Sequence, residues 1–351
     1  MHSSCSSRVP GFLLLAIACA VGAVGCSSAR STTSRSGPSR DSATDLEQQY
    51  EQVIRTVLPS VVQISTPDST GSGVVYDSDG DIVTNEHVIG DAKTVTVQEA
   101  VGNHALDATV VGKFAPDDLA VIRVTSHAGD LKPARFANSA DTQIGEIVLA
   151  MGNPLGLTDS VTQGIISATG RTVSASEGNS GQALITAAIQ TSAAINPGNS
   201  GGALVNLDDE VVGIPTLAAR LPDQGGAAPG IGFAIPSDTV QNIADQLIRS
   251  GRVTSSDRAS LGIVAETAAN ESGQPAGVAV RSVTSGGSAA VAGVRPGDII
   301  VAVNGTDVTS LEQFELMLSE LKPGTKVTIR YTRGLGGTAY SGTATLGSLG
   351  S

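Results

Sequence analysis

Residues 46 to 235 are broken repeatedly into short apolar runs separated by turn-forming residues, and this patterning constrains the fold more than any other feature. The runs include Val61-Val62-Gln63-Ile64, Gly73-Val74-Val75-Tyr76, Val95-Thr96-Val97, Ala120-Val121-Ile122-Arg123-Val124 and Glu146-Ile147-Val148-Leu149-Ala150. Aromatic residues are only 3% of the chain and Trp is absent, so any core must be built from Val, Ile, Leu and Ala. With 42 Gly and 15 Pro supplying turns, this composition favours short strands over long helices. Asp77-Ser78-Asp79-Gly80, between two of these runs, reads as a hairpin turn. The segment is therefore expected to be an all-β sandwich or barrel.

At 351 residues the chain is long enough for two folded domains. A helix is expected to close the first, with Ser237 as N-cap after Pro236, an apolar face of Val240, Ile243, Ala244, Leu247 and Ile248, and Gly251 as terminator. The polar run Thr254-Ser255-Ser256-Asp257-Arg258 reads as a linker, which divides the chain into domains at 46–255 and 256–351. In the second domain Asp298-Ile299-Ile300-Val301-Ala302-Val303 turns at Asn304-Gly305. Ser310 and Gln313 form a capping box ahead of a Leu311, Phe314, Leu318, Leu321 stripe.

The first 26 residues differ from the rest. Arg8 precedes an uncharged, mostly apolar stretch from Gly11 to Gly25, shorter than the roughly 20 residues a spanning helix needs, so it reads as a signal peptide. Ala23-Val24-Gly25-Cys26 resembles a bacterial lipobox, with Ala23 where Leu is usual, and implies lipidation at Cys26. Residues 27 to 45 are polar and are expected to be a flexible tether. The three cysteines, Cys5, Cys19 and Cys26, all lie in this leader, so the folded region holds no disulfide, no Cys-based metal site and no nucleophilic thiol. A net charge of −12 repels phosphate backbones and argues against nucleic acid as a partner.

Once the signal is removed, only His87, His104 and His127 can serve as an imidazole base. Gly198-Asn199-Ser200-Gly201-Gly202 places a serine among glycines, where backbone N–H groups can approach a reacting carbonyl. It also fits G-x-S-x-G, but an α/β-hydrolase needs its His after the Ser, and no His follows His127. A Ser200 nucleophile must take its base from upstream, which leaves the His, Asp, Ser order or the Asp, His, Ser order. His104 and His127 sit in loop-like contexts, whereas His87 follows an expected strand in Thr84-Asn85-Glu86-His87-Val88.

Several segments in chain order resemble the HtrA (high-temperature requirement) family of chymotrypsin-fold serine proteases. They are Gly71-Ser72-Gly73-Val74-Val75, Ile82-Val83-Thr84-Asn85-Glu86-His87-Val88, Asp118-Leu119-Ala120-Val121, Gly152-Asn153-Pro154-Leu155-Gly156, Ser160 to Ser167, Ile189 to Thr191 with Ala193 to Gly202, and Gly230 to Ser237. The resemblance implies a mostly β fold, a double six-stranded barrel followed by an α+β domain. It implies Ser200 as nucleophile, His87 as general base and then acid, Asp118 as the orienting carboxylate, and the N–H groups of Gly198 and Ser200 as oxyanion hole. Asp118 is preferred to Asp117 because the family motif places the acid directly before Leu-Ala-Val. Neither a metal nor another cofactor is needed. Ser192 stands where bacterial relatives usually carry Asp. Ala194 stands where trypsin-like enzymes keep an acid for basic side chains, so small or medium apolar P1 residues are expected.

Gly277 to Val283, Gly286 to Ile300 and Val303-Asn304-Gly305 resemble a PDZ domain, which holds a peptide C-terminus as an added strand with its carboxylate on backbone N–H groups. The implied carboxylate loop is Leu261, Gly262 and Ile263, preceded by Ser260 where the family has Tyr. The expected protein is an extracytoplasmic endopeptidase, lipid-tethered to the membrane or secreted. It degrades unfolded proteins in envelope quality control and is regulated by peptide C-termini at the PDZ domain. The resemblance also implies a homotrimer built around Leu46 to Leu58, although Leu46, Tyr50, Val53, Ile54 and Val57 equally describe an ordinary amphipathic helix. The rival is a chaperone or peptide-binding scaffold with little or no proteolysis, which would have no use for His87, Asp118 and Ser200 together.

Overall fold

A computed structural model of the chain describes residues 40–99, 105–125, 131–153, 160–175, 183–196, 198–220 and 227–350. The signal segment with Cys26, residues 27–39 of the expected tether, His104 and His127 lie outside the described residues. Helix α1 (Arg40–Val57) comes first, so residues 40–45 of the expected tether are helical. Its stripe of Val53 and Val57, with Tyr50 and Ile54 beside them, is spent on the chain's own core.

Strands β1 (Val61–Ser65), β2 (Thr70–Val75) and β3 (Asp81–Thr84) lead into the short helix α2 (Glu86–Ile89). Strands β4 (Thr94–Glu99), β5 (Ala105–Phe114) and β6 (Leu119–Val124) follow, and the six close into an antiparallel barrel in the order β1-β2-β3-β6-β5-β4. The hairpin expected at Asp77 to Gly80 joins β2 to β3. There Asp77 Oδ1 accepts from the N–H of Asp79 (2.9 Å) and of Asp81 (3.1 Å).

The second barrel uses β7 (Arg135–Phe136), β8 (Ile147–Gly152), β9 (Ser160–Ala175), β10 (Ala183–Thr191), β11 (Ala203–Val205), β12 (Glu210–Arg220) and β13 (Ala227–Pro236). The order β11-β8-β9-β10-β13-β12 is closed by a further β11 to β12 pairing, and β7 adds to β12 in parallel. The two six-stranded barrels expected from the resemblance are thus present.

Each barrel is filled by its own aliphatic cluster, Ile64, Val97 and Ile122 in the first and Val148, Ile166 and Ile189 in the second. A third cluster joins them, with Val74, Phe114 and Val121 from one barrel meeting Leu149, Met151 and Ile214 from the other. Helix α3 (Ser237–Ser250) packs Val240, Ile243, Ala244 and Leu247 onto this seam, and Gly251 ends it in the left-handed region (φ 69°). Ser237 is the first helical residue rather than the N-cap. β13 runs through Pro236, which takes the cap position, and the Ser237 hydroxyl donates to Ala137 O (2.8 Å).

The polar run expected as a linker is a hydrogen-bonded junction instead. Gln246 Oε1 accepts from the N–H groups of Thr254 and Ser255 (both 3.0 Å), and Ser256 N–H donates to Ser348 Oγ (2.7 Å). Beyond it come β14 (Ala259–Ser260), β15 (Ile263–Ala269), β16 (Pro275–Val283), α4 (Ser288–Val291), β17 (Asp298–Val303) and β18 (Thr306–Asp307). Then follow α5 (Leu311–Ser319), β19 (Lys326–Arg333), β20 (Ala339–Thr345) and β21 (Gly347–Ser348).

The sheet order β15-β16-β17-β19-β20 leaves β15 at an edge. Asn304 and Gly305 both have positive φ (50° and 82°), the backbone of a two-residue hairpin. Ser310 caps α5 by accepting from Gln313 N–H (3.2 Å), and Phe314 and Leu318 are buried as the stripe predicts. Among the described residues no helix is long and apolar enough to cross a membrane.

Candidate active site

His87 stands on α2, which the buried Val88 and Ile89 fix against the first barrel. Its N–H donates to Asp118 Oδ1 (3.0 Å), and its ring Nδ1 lies 2.8 Å from Asp118 Oδ2. A carboxylate accepts only, so Nδ1 carries the proton and Nε2 is left as the basic nitrogen.

Asp118 follows a 3-10 turn (Ala115–Asp117) between β5 and β6 and is almost fully buried. Its backbone is left-handed (φ 51°, ψ 44°), a conformation that costs a non-glycine residue about 1 to 2 kcal/mol. The surroundings hold it there. Asp118 O accepts from Asn85 Nδ2 (3.0 Å) and Glu86 N–H (3.1 Å), and Thr216 Oγ1 donates to Asp118 Oδ2.

Ser200 lies in the turn before β11, with its carbonyl accepting from Ser72 N–H (3.0 Å) and its Oγ donating to Thr216 O (3.4 Å). Thr216 thus touches the acid with its side chain and the serine with its backbone. Gly201 has φ 79°, and a Cβ there would sit 2.2 Å from Ser72 O and 2.5 Å from Thr84 Oγ1, so only glycine lets the serine loop approach β2 and β3. Ser72, fully buried, donates from Oγ to Gly198 O (2.5 Å) and accepts from Asn153 N–H (2.9 Å). Among the described residues none accepts a hydrogen bond from the N–H of Gly198 or of Ser200. An imidazole and a carboxylate from one barrel are therefore joined through Thr216 to the serine turn of the other, which carries two N–H groups that a carbonyl oxygen could engage.

The structure holds His87 on Asp118 and links Asp118 to the Ser200 turn through Thr216, and it adds partners that the sequence did not single out. Thr216 and Asn85 hold the acid, and Ser72 and Asn199 hold the serine loop. Asn199 Nδ2 donates to Ala194 O (3.0 Å), while its Oδ1 accepts from Asn196 N–H (3.0 Å). For Ser72, Asn85 and Asn199 the only sequence signal is membership of a short motif, and Thr216 has none. Ser192, the departure in this loop, is tied to Ile165 on both sides, its Oγ accepting from Ile165 N–H and its N–H donating to Ile165 O (each 3.0 Å).

In the C-terminal domain an apolar groove runs between β15 and α5, lined by Leu261, Ile263, Leu311, Phe314 and Leu318. Gly262, at φ 72°, is the middle residue of the expected carboxylate loop, and its N–H donates to Ser260 Oγ (3.1 Å). Ala115 and Pro116, from the turn that carries Asp118, line the same groove, as does Arg258. Arg258 Nη1 donates to Pro116 O (2.6 Å) and to Asp117 Oδ1 (2.9 Å). Burial pushes Asp117 above the ordinary carboxylate range, with the Arg258 guanidinium pulling the other way. Burial likewise raises Glu315 in the groove, against the pull of Arg258 and with a further push from Glu312.

The description "Trypsin-like peptidase domain" matches residues 71–214, and "PDZ domain" matches residues 254–338. The chain is 38% identical over 304 residues to "Serine protease PepD" of Mycobacterium tuberculosis, covering 82% of this chain and 64% of PepD. To "Serine endoprotease DegS" of Salmonella typhimurium it is 36% identical over 311 residues, covering 83% of this chain and 84% of DegS. Against "Periplasmic serine endoprotease DegP" of Escherichia coli it is 38% identical over 270 residues, 75% of this chain, yet it spans only 54% of DegP. The solved structure of a serine endoprotease from Yersinia pestis superposes with a TM-score of 0.56 at 36% identity, covering 86% of this chain and 98% of that one. With both domains matched in order and most of DegS covered, the chain belongs to the HtrA-type (Deg) family of trypsin-like serine proteases that carry a PDZ domain.

Proposed function

We propose that this chain is a serine endopeptidase of the HtrA type, acting outside the cytoplasm on unfolded or damaged protein. The observation that carries this reading is the two-point grip of Asp118 on His87, at 3.0 Å through the backbone N–H and 2.8 Å through Nδ1, beside the Ser200 turn. In the reaction His87 Nε2 takes the proton of Ser200 Oγ as the oxygen attacks the scissile carbonyl. The developing oxyanion is met by the N–H groups of Gly198 and Ser200, an interaction worth about 10² to 10³ in rate per donor. Collapse breaks the C–N bond, His87 returns the proton to the leaving amine, and water repeats the sequence on the acyl-Ser200 ester. Asp118 stays ionised throughout and keeps Nδ1 protonated.

Exposed Ala194 brings no charge to the place where basic P1 side chains would be paired, which supports small or medium apolar P1 residues. Peptide C-termini are proposed to add to the free edge of β15 over the apolar groove, with their carboxylate at Leu261, Gly262 and Ile263, and to regulate proteolysis. The full chain incubated with unfolded β-casein should cut after Val, Ala or Leu, and peptides ending in apolar residues should change the rate. An organophosphorus fluoride should stop the reaction and leave its label on Ser200. Cleavage that persists with Ser200 fully labelled, or that prefers Arg and Lys, would overturn the corresponding part of the reading.

The extracytoplasmic setting is supported by the signal-like leader and by the periplasmic name of a relative. Membrane attachment is proposed through a lipid on Cys26. A fatty-acid label should enter the wild-type chain and be lost in Cys26→Ala; label that survives the substitution removes the anchor. A homotrimer built around Leu46 to Leu58 is proposed; Val53 and Val57 are buried within the protomer, which leaves exposed Leu46 of the α1 stripe for a neighbouring copy.

A further inference from the structure

Asp118 is the one member of the triad with a left-handed backbone, and the turn before it is held from outside the barrel as well as from within. Inside, Asn85, Glu86 and Thr216 hold Asp118 itself. Outside, Arg258 reaches across from the start of the PDZ match (residues 254–338) and holds the two residues before it, through Pro116 O at 2.6 Å and Asp117 Oδ1 at 2.9 Å.

The Arg258 side chain is only 11% exposed and Asp117 is 3% exposed, so the pair is shielded from water. Arg258 Nε is buried and has no partner among the described residues. The guanidinium is therefore not held by a network of its own, and its hydrogen bonds are directed at the catalytic-acid turn. It also lines the peptide groove, beside Ala115 and Pro116 of that same turn.

We propose that Arg258 is a positioning residue for Asp118: from the foot of the peptide groove it clamps the Ala115–Asp117 turn and so fixes the acid in the orientation His87 requires. The inference rests on the triad reading above. It makes the proteolytic site incomplete without a residue of the peptide-binding domain, and it gives whatever enters the groove a direct mechanical route to the triad. Without the clamp, Pro116 O loses its donor and Asp117 its counter-charge. The turn is then free to relax, carrying Asp118 away from His87 Nδ1, and a misplacement of about 1 Å at such a group costs on the order of 10² in rate.

The test uses the full chain and a small organophosphorus fluoride that reacts at Ser200 without entering the groove. Arg258→Gln should slow labelling about 10- to 100-fold, lower kcat with KM nearly unchanged, and shift the low-field His87 Nδ1 proton resonance. Arg258→Lys should recover part of the rate, because an ammonium can still pair with Asp117. If Arg258→Gln does not fold, Asp117→Asn with Arg258→Gln removes the uncompensated buried carboxylate and should still label slowly with the same shifted resonance. Labelling at the wild-type rate in a folded Arg258→Gln or double variant, with the resonance unmoved, overturns the proposal. Failure of the triad reading looks different: the wild-type chain would then not be labelled at Ser200 at all.

Discussion

Replacing Ser200 with alanine should reduce kcat for peptide hydrolysis by on the order of 10⁶, leaving only the residual acceleration that binding and the oxyanion donors supply. The substitution removes one oxygen from a turn held by other groups. Ser72 N–H still reaches the residue-200 carbonyl (3.0 Å), Ser72 Oγ still reaches Gly198 O (2.5 Å), and Asn199 still ties the loop to Ala194. The lost Oγ contact to Thr216 O is long at 3.4 Å, so stability should change little. Side-by-side measurement of β-casein hydrolysis and thermal unfolding checks this. Equal cleavage by Ser200→Ala and wild type would end the triad assignment, whereas retained binding of unfolded casein without cleavage is the result expected of an intact scaffold.

The second large effect is at Asp118. Asparagine there keeps the size of the side chain but cannot accept through both oxygen positions, and Asp118 receives hydrogen bonds from the His87 N–H, from His87 Nδ1 and from Thr216 Oγ1. One of these donors must meet an amide N–H₂, and if Nδ1 loses its acceptor the imidazole takes the other tautomer, with its proton on Nε2 where the base is needed. The expected loss in kcat is about 10⁴, with KM little altered. A pH–rate profile and the low-field Nδ1 proton resonance separate this from unfolding. A folded Asp118→Asn protein with near wild-type kcat would show that the carboxylate does not orient His87.

Much of this site was legible because its members sit in short segments whose neighbours are themselves constrained. The glycines around Ser200 are there because Gly201 abuts Ser72 O and Thr84 Oγ1, so the sequence carries a visible trace of the close approach. The hairpins at Asp77 to Gly80 and at Asn304-Gly305 were readable for the same reason: local backbone demands appear as local residue choices. Thr216 was not readable. It is 98 residues from Asp118, and nothing nearby marks it until the two barrels meet. Arg258 was read as part of a polar linker, which is how a cation looks when its partner Asp117 lies 141 residues upstream. The Ser237 cap failed on a smaller scale, because strand β13 runs straight into the helix and its hydroxyl is drawn to Ala137 O.

The seam between the barrels has a consequence for inheritance as well as for chemistry. His87 and Asp118 are rooted in one closed barrel and Ser200 in the other, each with its own filling of Val, Ile and Leu, and the shared cluster around Phe114, Leu149 and Met151, together with the hydrogen bonds of Ser72 and Thr216, sets their spacing. A substitution inside either private core can be absorbed by that barrel alone. One in the shared cluster changes the distance between two otherwise intact halves. Genetic variation that silences this protein without unfolding it should therefore collect along the seam.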